Sequence, residues 1–182
     1  IGAIIESPNF YPYLSGQKNL ELIALNKNLP FSEVERCLQI VGLAERKKSN
    51  FETFSLGIKQ RLSLASVLMG DPAIMILDEP SNGLDPVGII EFRQIILNEK
   101  SKGKTIIIAS HILDEIEKMC THVAILNRGK LISSGTVNEL LSGGDVYLIS
   151  SSDNSLMIPV LSDCNIISSH SIESLDVKVC LK

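Results

Sequence analysis

Ala73-Ile74-Met75-Ile76-Leu77-Asp78-Glu79-Pro80 is the stretch from which the fold is read. An apolar run ends abruptly in two carboxylates and a proline. The run has the length of a strand buried on both faces, so it reads as the centre of a parallel sheet. Pro80 cannot donate to a ladder and ends the strand. Asp78 and Glu79 then stand at the carboxyl edge, where open α/β sheets bind ligands. Successive strand residues point to opposite faces, so the two acids are free to take different jobs. The competing reading is a pair of acids in a solvated turn. The unbroken apolar run before them and Ser81-Asn82-Gly83-Leu84-Asp85-Pro86 after them weigh against it.

The chain has 182 residues, 45% of them apolar, which suits one domain or one domain with an appendage. Net charge is -4 with no Lys/Arg-rich face, which disfavours nucleic acid as a partner. No apolar run approaches the roughly 20 residues of a membrane helix, and no stretch reads as a signal peptide. Cys37, Cys120, Cys164 and Cys180 lack any CxxC or His/Cys ligand spacing. They read as thiols in a reducing compartment, not as a metal site or disulfide set. The chain begins at Ile1 inside what reads as a strand, and is taken as a fragment whose upstream part is missing.

Ile1 to Ile5 reads as that first strand, and Glu6 to Pro12 as a loop, because two prolines and an Asn oppose helix or central strand. Ser15 opens a helix with Leu20, Ile23 and Ala24 at helical spacing, broken by Pro30. Ser32 and Glu35 predict a capping box on a second helix, with Val34, Leu38 and Val41 as its buried stripe and Gly42 as its end. Phe54-Ser55-Leu56-Gly57-Ile58-Lys59-Gln60-Arg61 opens a third, apolar helix. Ser55 or Gly57 stands where an N-cap belongs, and free N–H groups with the helix dipole make an anion site there. A helix follows Pro86, with Ile89, Phe92 and Ile96 inward, and the apolar run Lys104 to Ser110 follows as a strand ending at His111. Strand–helix–strand predicts two parallel neighbours, which brings Glu79 and His111 to the same sheet edge. A short helix from Ile112 to Met119 is expected to turn Asp114, Glu115 and Glu117 outward. Two strands joined at Asn127-Arg128-Gly129-Lys130 read as a hairpin, and Ser134-Gly135-Thr136 opens a last helix through Leu141. From 142 the sequence turns Ser-rich with short apolar runs, read as a strand–helix–strand–strand appendage. His122 and His170 carry no visible chemistry.

The Asp-Glu strand resembles the Walker B motif of ATP-binding cassette (ABC) ATPases, and Ser81 to Asp85 resembles their D-loop. Ser55, Gly57, Gln60 and Arg61 match the signature Leu-Ser-Gly-Gly-Gln-x-Gln-Arg, while Phe54, Leu56 and Ile58 depart from it. Leu56 for Gly removes backbone freedom, and Ile58 removes a polar side chain. Ser-Leu-Gly-x-Lys-Gln-Arg variants are similar to the branch with bacitracin- and lantibiotic-type exporters. His111 matches the switch histidine, and Glu6 stands at the Q-loop position. No Gly-x-x-x-x-Gly-Lys-Ser/Thr occurs, nor does the family's adenine-stacking aromatic residue. The resemblance therefore covers the later two-thirds of a cassette.

The resemblance implies an α/β fold: a P-loop NTPase-type parallel sheet with a helical subdomain, in a partial ABC ATPase domain over 1–141, with the helical subdomain at about 8–70. A small α+β extension fills 142–182. It implies ATP and Mg²⁺, with Asp78 holding Mg²⁺ through water. Glu79 would be the general base, and His111 would contact the γ-phosphate. Ser55 and Gly57 would reach the γ-phosphate of a second subunit's nucleotide, Asp85 would act across that dimer interface, and Glu6 would serve the metal or water and sense the membrane partner. The expected partners are a transmembrane permease and a second ATP-binding subunit, with no nucleic acid. The expected place is the cytoplasmic face of a bacterial plasma membrane, as a peripheral ATPase subunit of an exporter, with the fragment inactive alone. The alternatives are a soluble cassette ATPase of translation or DNA repair, and a non-catalytic regulatory relative. Intact Asp78, Glu79 and His111 speak against the last.

Overall fold

The computed structural model describes residues 1–5, 10–141, 146–150, 167–173 and 176–181. They fall into two compact units, Ile1–Met119 and Cys120–Lys182.

The first unit is built on a three-stranded parallel sheet of β1 (Gly2–Ile4), β2 (Ile74–Asp78) and β3 (Thr105–Ala109), in that order. Gly2 pairs with Met75, and Leu77 with both Ile4 and Ile108. The central strand is thus the Asp-Glu run, flanked on both sides as read from the sequence. The expectation that both its faces are buried fails. Met75 and Leu77 are fully buried, but Ile74 and Ile76 are 38% and 39% exposed, and Ile107 on β3 is 55% exposed. Among the described residues, helices of this unit cover one face only. Strong apolar content on both sides of a strand does not say which side its own chain will cover.

Three helices join β1 to β2. α1 (Gly16–Asn26) is capped by Ser15, whose Oγ accepts from the Lys18 N–H at 3.2 Å. Asn19, buried in its first turn, accepts from the Tyr11 N–H through Oδ1 and donates through Nδ2 to the carbonyls of Tyr11, Leu14 and Ser15. One amide so fixes the end of the loop that follows β1. α2 (Ser32–Ile40) buries Val34 and Leu38 as expected, and Gly42 ends it at φ 68°. Its predicted capping box does not form. Phe31 is the N-cap, the Pro30 carbonyl already takes the Glu33 N–H at 3.0 Å, and Glu35 is paired with Lys47 at 2.7 Å. Pro30 starts the turn one residue early, so Ser32 lies inside the helix. Cys37 is buried here, and burial pushes its thiol up to about 11, which suits an inert packing residue. α3 (Leu56–Leu68) packs on α1, α2 and β1 and buries Leu62, Leu64, Ala65, Val67 and Leu68.

After β2, α4 (Pro86–Ser101) returns the chain to β3, and α5 (Leu113–Met119) follows. Glu115 does not face outward as its spacing predicts. It is 4% exposed and receives Arg93 of α4 through two hydrogen bonds, at 2.7 and 3.3 Å. A buried carboxylate is tolerated when a guanidinium grips it in this bidentate way.

In the second unit, β4 (His122–Asn127) and β5 (Lys130–Thr136) form the predicted hairpin. Its two-residue turn places Arg128 at φ 48° and Gly129 at φ 76°, the pair of positive values that matches the strands' twist. Ser134, Gly135 and Thr136 belong to β5, and of the three only Thr136, the last, opens the helix. α6 (Val137–Leu141) is entered through Thr136 and Glu139, which cap each other reciprocally at 3.2 and 2.8 Å. β6 (Val146–Ser150), β8 (Asp176–Leu181) and β7 (Ile167–Glu173) make an antiparallel sheet in the order β6-β8-β7. The helix predicted for this appendage lies outside the described residues.

Candidate functional site

The carboxyl edges of β2 and β3 carry the first cluster. β2 ends at Asp78, and the Glu79 N–H still reaches the Ala109 carbonyl at 2.9 Å. Glu79 itself takes φ 45°, a left-handed conformation that costs a non-glycine residue roughly 1–2 kcal/mol. Strain of this kind collects at functional positions. The turn throws the Glu79 side chain toward the end of β3, where its Oε1 meets His111 Nδ1 at 2.9 Å. An ionised carboxylate only accepts, so in that state Nδ1–H donates to Glu79 and Nε2 is the nitrogen left for other work. Glu79 Oε2 is buried and has no hydrogen-bond partner. An ionised carboxylate oxygen without a partner keeps its full hydrogen-bond acceptor capacity.

From Glu79 the chain runs to Asp85 as a series of tight turns. The Glu79 carbonyl takes the Asn82 N–H at 3.2 Å, and the carbonyl of buried Ser81 takes the Leu84 N–H at 3.1 Å. Asp85 is the N-cap of α4, its Oδ1 accepting from the Gly88 N–H at 2.8 Å.

The second cluster lies at the N-terminus of α3. Ser55 is the N-cap and accepts from the Ile58 N–H at 3.4 Å. Ser55, Gly57 and Asp85 share a groove of about 550 Å³ with Leu43, Arg46 and Arg61. Arg61 forms an ion pair with Glu91 of α4. The α3 N-terminus and the Arg46 guanidinium bring positive potential to the groove, while Arg61 is paired with Glu91 and Asp85 lines the same groove. Arg46 escapes a reading of the sequence because it ends a short 3₁₀ turn, Ala44–Arg46, that no motif marks. Gln60, one of the signature matches, is buried with its Oε1 unpartnered.

The structure thus joins Glu79 to His111, with Asp78 adjoining, and gathers Ser55, Gly57 and Asp85 at a separate groove. Glu6 lies outside the described residues. Among the described residues no group of three or more His, Cys, Asp or Glu could cage a metal. One or two carboxylates at a sheet edge instead suit Mg²⁺, which keeps several waters and takes its remaining ligands from phosphates. The hard carboxylate oxygens of Asp78, at the end of β2, fit that pattern. No helix among the described residues is long and apolar enough to cross a membrane.

Residues 1–82 match the family model described as ABC transporter. The "Uncharacterized ABC transporter ATP-binding protein YhcH" of Bacillus subtilis (strain 168) is 40% identical over 171 residues, covering 92% of this chain and 56% of the relative. The "Bacitracin transport ATP-binding protein BcrA" of Enterococcus faecalis is 42% identical over 142 residues, covering 77% of this chain and 46% of the relative. A solved structure described as the ATP binding subunit of an ABC transporter superposes with a TM-score of 0.68 at 31% identity, over 76% of this chain and 60% of that one. The chain spans about half the length of the curated relatives it matches.

Proposed function

The chain belongs to the ABC transporter family, and from that premise we propose that it is part of the ATP-binding, ATP-hydrolysing subunit that powers a membrane exporter. The observation that carries the reading is the Glu79–His111 hydrogen bond at the ends of two parallel strands, beside an unpartnered Glu79 oxygen. Phosphoryl transfer asks the protein mainly for positioning and charge stabilisation. Glu79 takes the proton of the attacking water through Oε2, while Oε1 holds His111 by Nδ1. His111, so oriented, offers its other ring nitrogen to the γ-phosphate. Asp78 would hold Mg²⁺, and the ion would supply charge neutralisation on the phosphates. By the family resemblance, Glu6 would serve the metal or the water and sense the membrane partner.

The groove at α3 is the half-site for a second copy's nucleotide. Ser55 and Gly57 present helix N–H groups to its γ-phosphate, and Asp85 stands at the facing surface. Two ATP-binding subunits would therefore complete each other's sites and dock on a transmembrane permease at the cytoplasmic face of the membrane. In this reading 1–141 is the partial cassette, its helical subdomain spans about 8–70, and 142–182 is an α+β extension. Export as the direction rests on the resemblance of the Ser55–Arg61 stretch to the bacitracin- and lantibiotic-type exporter branch; the Enterococcus relative is named for bacitracin transport.

Two measurements test the proposal. The complete tagged protein, pulled down from detergent-solubilised cells, should bring a polytopic membrane protein in stoichiometric amount. Recovery of ribosomal or DNA-associated proteins instead would remove transport from the reading and leave the ATPase. The 182-residue chain alone should release no phosphate from ATP above background, because no Gly-x-x-x-x-Gly-Lys-Ser/Thr is present in it to cradle the β- and γ-phosphates. A saturable, Mg²⁺-dependent ATPase in that chain would sink this assignment of roles.

A further inference from the structure

Leu56 is where the signature departs most visibly, and its side chain has a specific neighbour. A Cβ built on Gly83 would stand 2.2 Å from Leu56 Cδ2 and 2.5 Å from its Cγ. Such distances are impossible, so the Leu56 side chain occupies the space that a side chain at 83 would need. Gly83 also has φ 76°, a conformation that favours glycine. It sits midway along the run of turns from Glu79 to Asp85. Next to it, Gly57 of α3 lies 3.5 Å, measured from the same kind of built Cβ, from the Gly83 carbonyl oxygen and from Leu84 Cδ2. The N-terminus of α3 therefore rests on the Glu79–Asp85 loop through Leu56, with Gly83 shaped to receive it.

We propose that Leu56 is a positioning residue: seated against Gly83, it fixes the α3 N-terminus to the Glu79–Asp85 loop, so that the anion groove and the Glu79–His111 edge are set relative to each other through this contact. The proposal rests on the ATPase reading above and adds a residue to which that reading gave no role. A leucine at 56 restricts its own backbone, but it supplies an apolar wedge that a glycine cannot. The physical consequence is coupling. Displacement of the loop at Gly83 moves both the turn that aims Glu79 and the cap at Asp85, because they are consecutive hydrogen-bonded turns of one short segment.

The experiment is a double-mutant cycle in the full-length protein, reading ATP turnover, nucleotide Kd and thermal midpoint for Leu56→Gly, Gly83→Ala and the double variant. Each single change ends the same contact, Leu56→Gly by deleting the side chain and Gly83→Ala by pushing it off the loop, the latter with added backbone strain at φ 76° that the double variant shares. Each should lower kcat by about tenfold, a modest case of what small misplacements cost, while Kd for nucleotide stays within about twofold. The double variant should also fall by about tenfold, not by the product of the two, since contacts shared between neighbours are non-additive. Leu56→Met, which keeps an apolar chain of similar reach, should recover most of the turnover lost in Leu56→Gly. Multiplying losses in the double variant overturn the proposal, as does failure of Met to recover turnover. A wild type without ATPase activity overturns the site reading itself. The thermal midpoints then decide the contact separately: additive shifts sink it, and non-additive shifts keep it.

Discussion

Glu79→Gln in the full-length protein lowers ATP turnover by about 10²–10⁴-fold, the range contributed by a general base, and leaves nucleotide binding in place. The substitution is close to isosteric. A glutamine Oε1 still accepts from His111 Nδ1, so the 2.9 Å contact and the orientation of the imidazole are retained. The left-handed backbone at φ 45° is no harder for glutamine than for glutamate. What disappears is proton affinity at the buried second oxygen, which has no partner in the protein to compensate. The loss therefore falls on kcat and leaves Kd for ATP unchanged. His111→Ala tests the other half of the pair: it keeps the base but frees its orientation, and the fall in kcat should be smaller than for Glu79→Gln. Phosphate release and direct nucleotide binding on the same preparations separate the cases. Turnover within about threefold of wild type in Glu79→Gln would show that the proton leaves by another route, since a working base contributes far more.

Much of this site is legible in the chain's residues alone. The apolar run into Asp78-Glu79-Pro80, the intervening helix and the second apolar run into His111 dictate two parallel neighbours, and the Ile76–Ile107 and Asp78–Ala109 register bears this out. Period and punctuation suffice there because every signal is local. What is not legible depends on partners distant in sequence. Glu115 looks like any surface acid of an amphipathic helix until Arg93 is brought to it from α4. Ser32 looks like an N-cap until Glu35 is claimed by Lys47. Ile74 and Ile76 look buried because apolarity alone does not say what covers them. Leu56 and Gly83 each have an ordinary local reading, and only their contact gives the pair a purpose.

Lys104→Met destabilises the fold by about 3 kcal/mol, the scale of breaking a buried ion pair from one side, and the deficit shrinks in acid. Lys104 is 7% exposed and bonds both Asp71 and Glu99, the latter 3% exposed. Glu99 gives its other oxygen to Lys102 at 2.6 Å. Burial pushes the Glu99 carboxyl up, but the hydrogen bonds from Lys102 and Lys104 outweigh it and hold the group below its usual value. Lys104 also holds Asp71 low, and Arg36 does the same for Glu33, with burial opposing and the Gly70 N–H adding to the effect. Two of the acids meet at the Gly70–Asp71 turn between α3 and β2, where Lys104 grips Asp71 and Glu33 takes the Gly70 N–H at 3.2 Å, and Glu99 is tied to the turn through Lys104. The turn that feeds the Asp-Glu strand is thus held from α2 on one side and from α4 and β3 on the other. A carboxyl whose folded value is depressed stabilises the fold above its unfolded value, near 4.3 for glutamate, and loses that contribution as pH falls through the folded value. Wild-type stability should therefore decline below about pH 4.5. In Lys104→Met, Glu99 keeps its burial with only the half-exposed Lys102 beside it, so its value rises and its stabilising contribution is gone already near neutrality. Thermal midpoints should differ by about 6–12 °C at pH 7 for a chain of this size, and converge as pH falls below about 4, through the depressed folded values. A gap that stays constant over that range would mean that Lys104 acts by packing its alkyl stem, not by compensating Glu99.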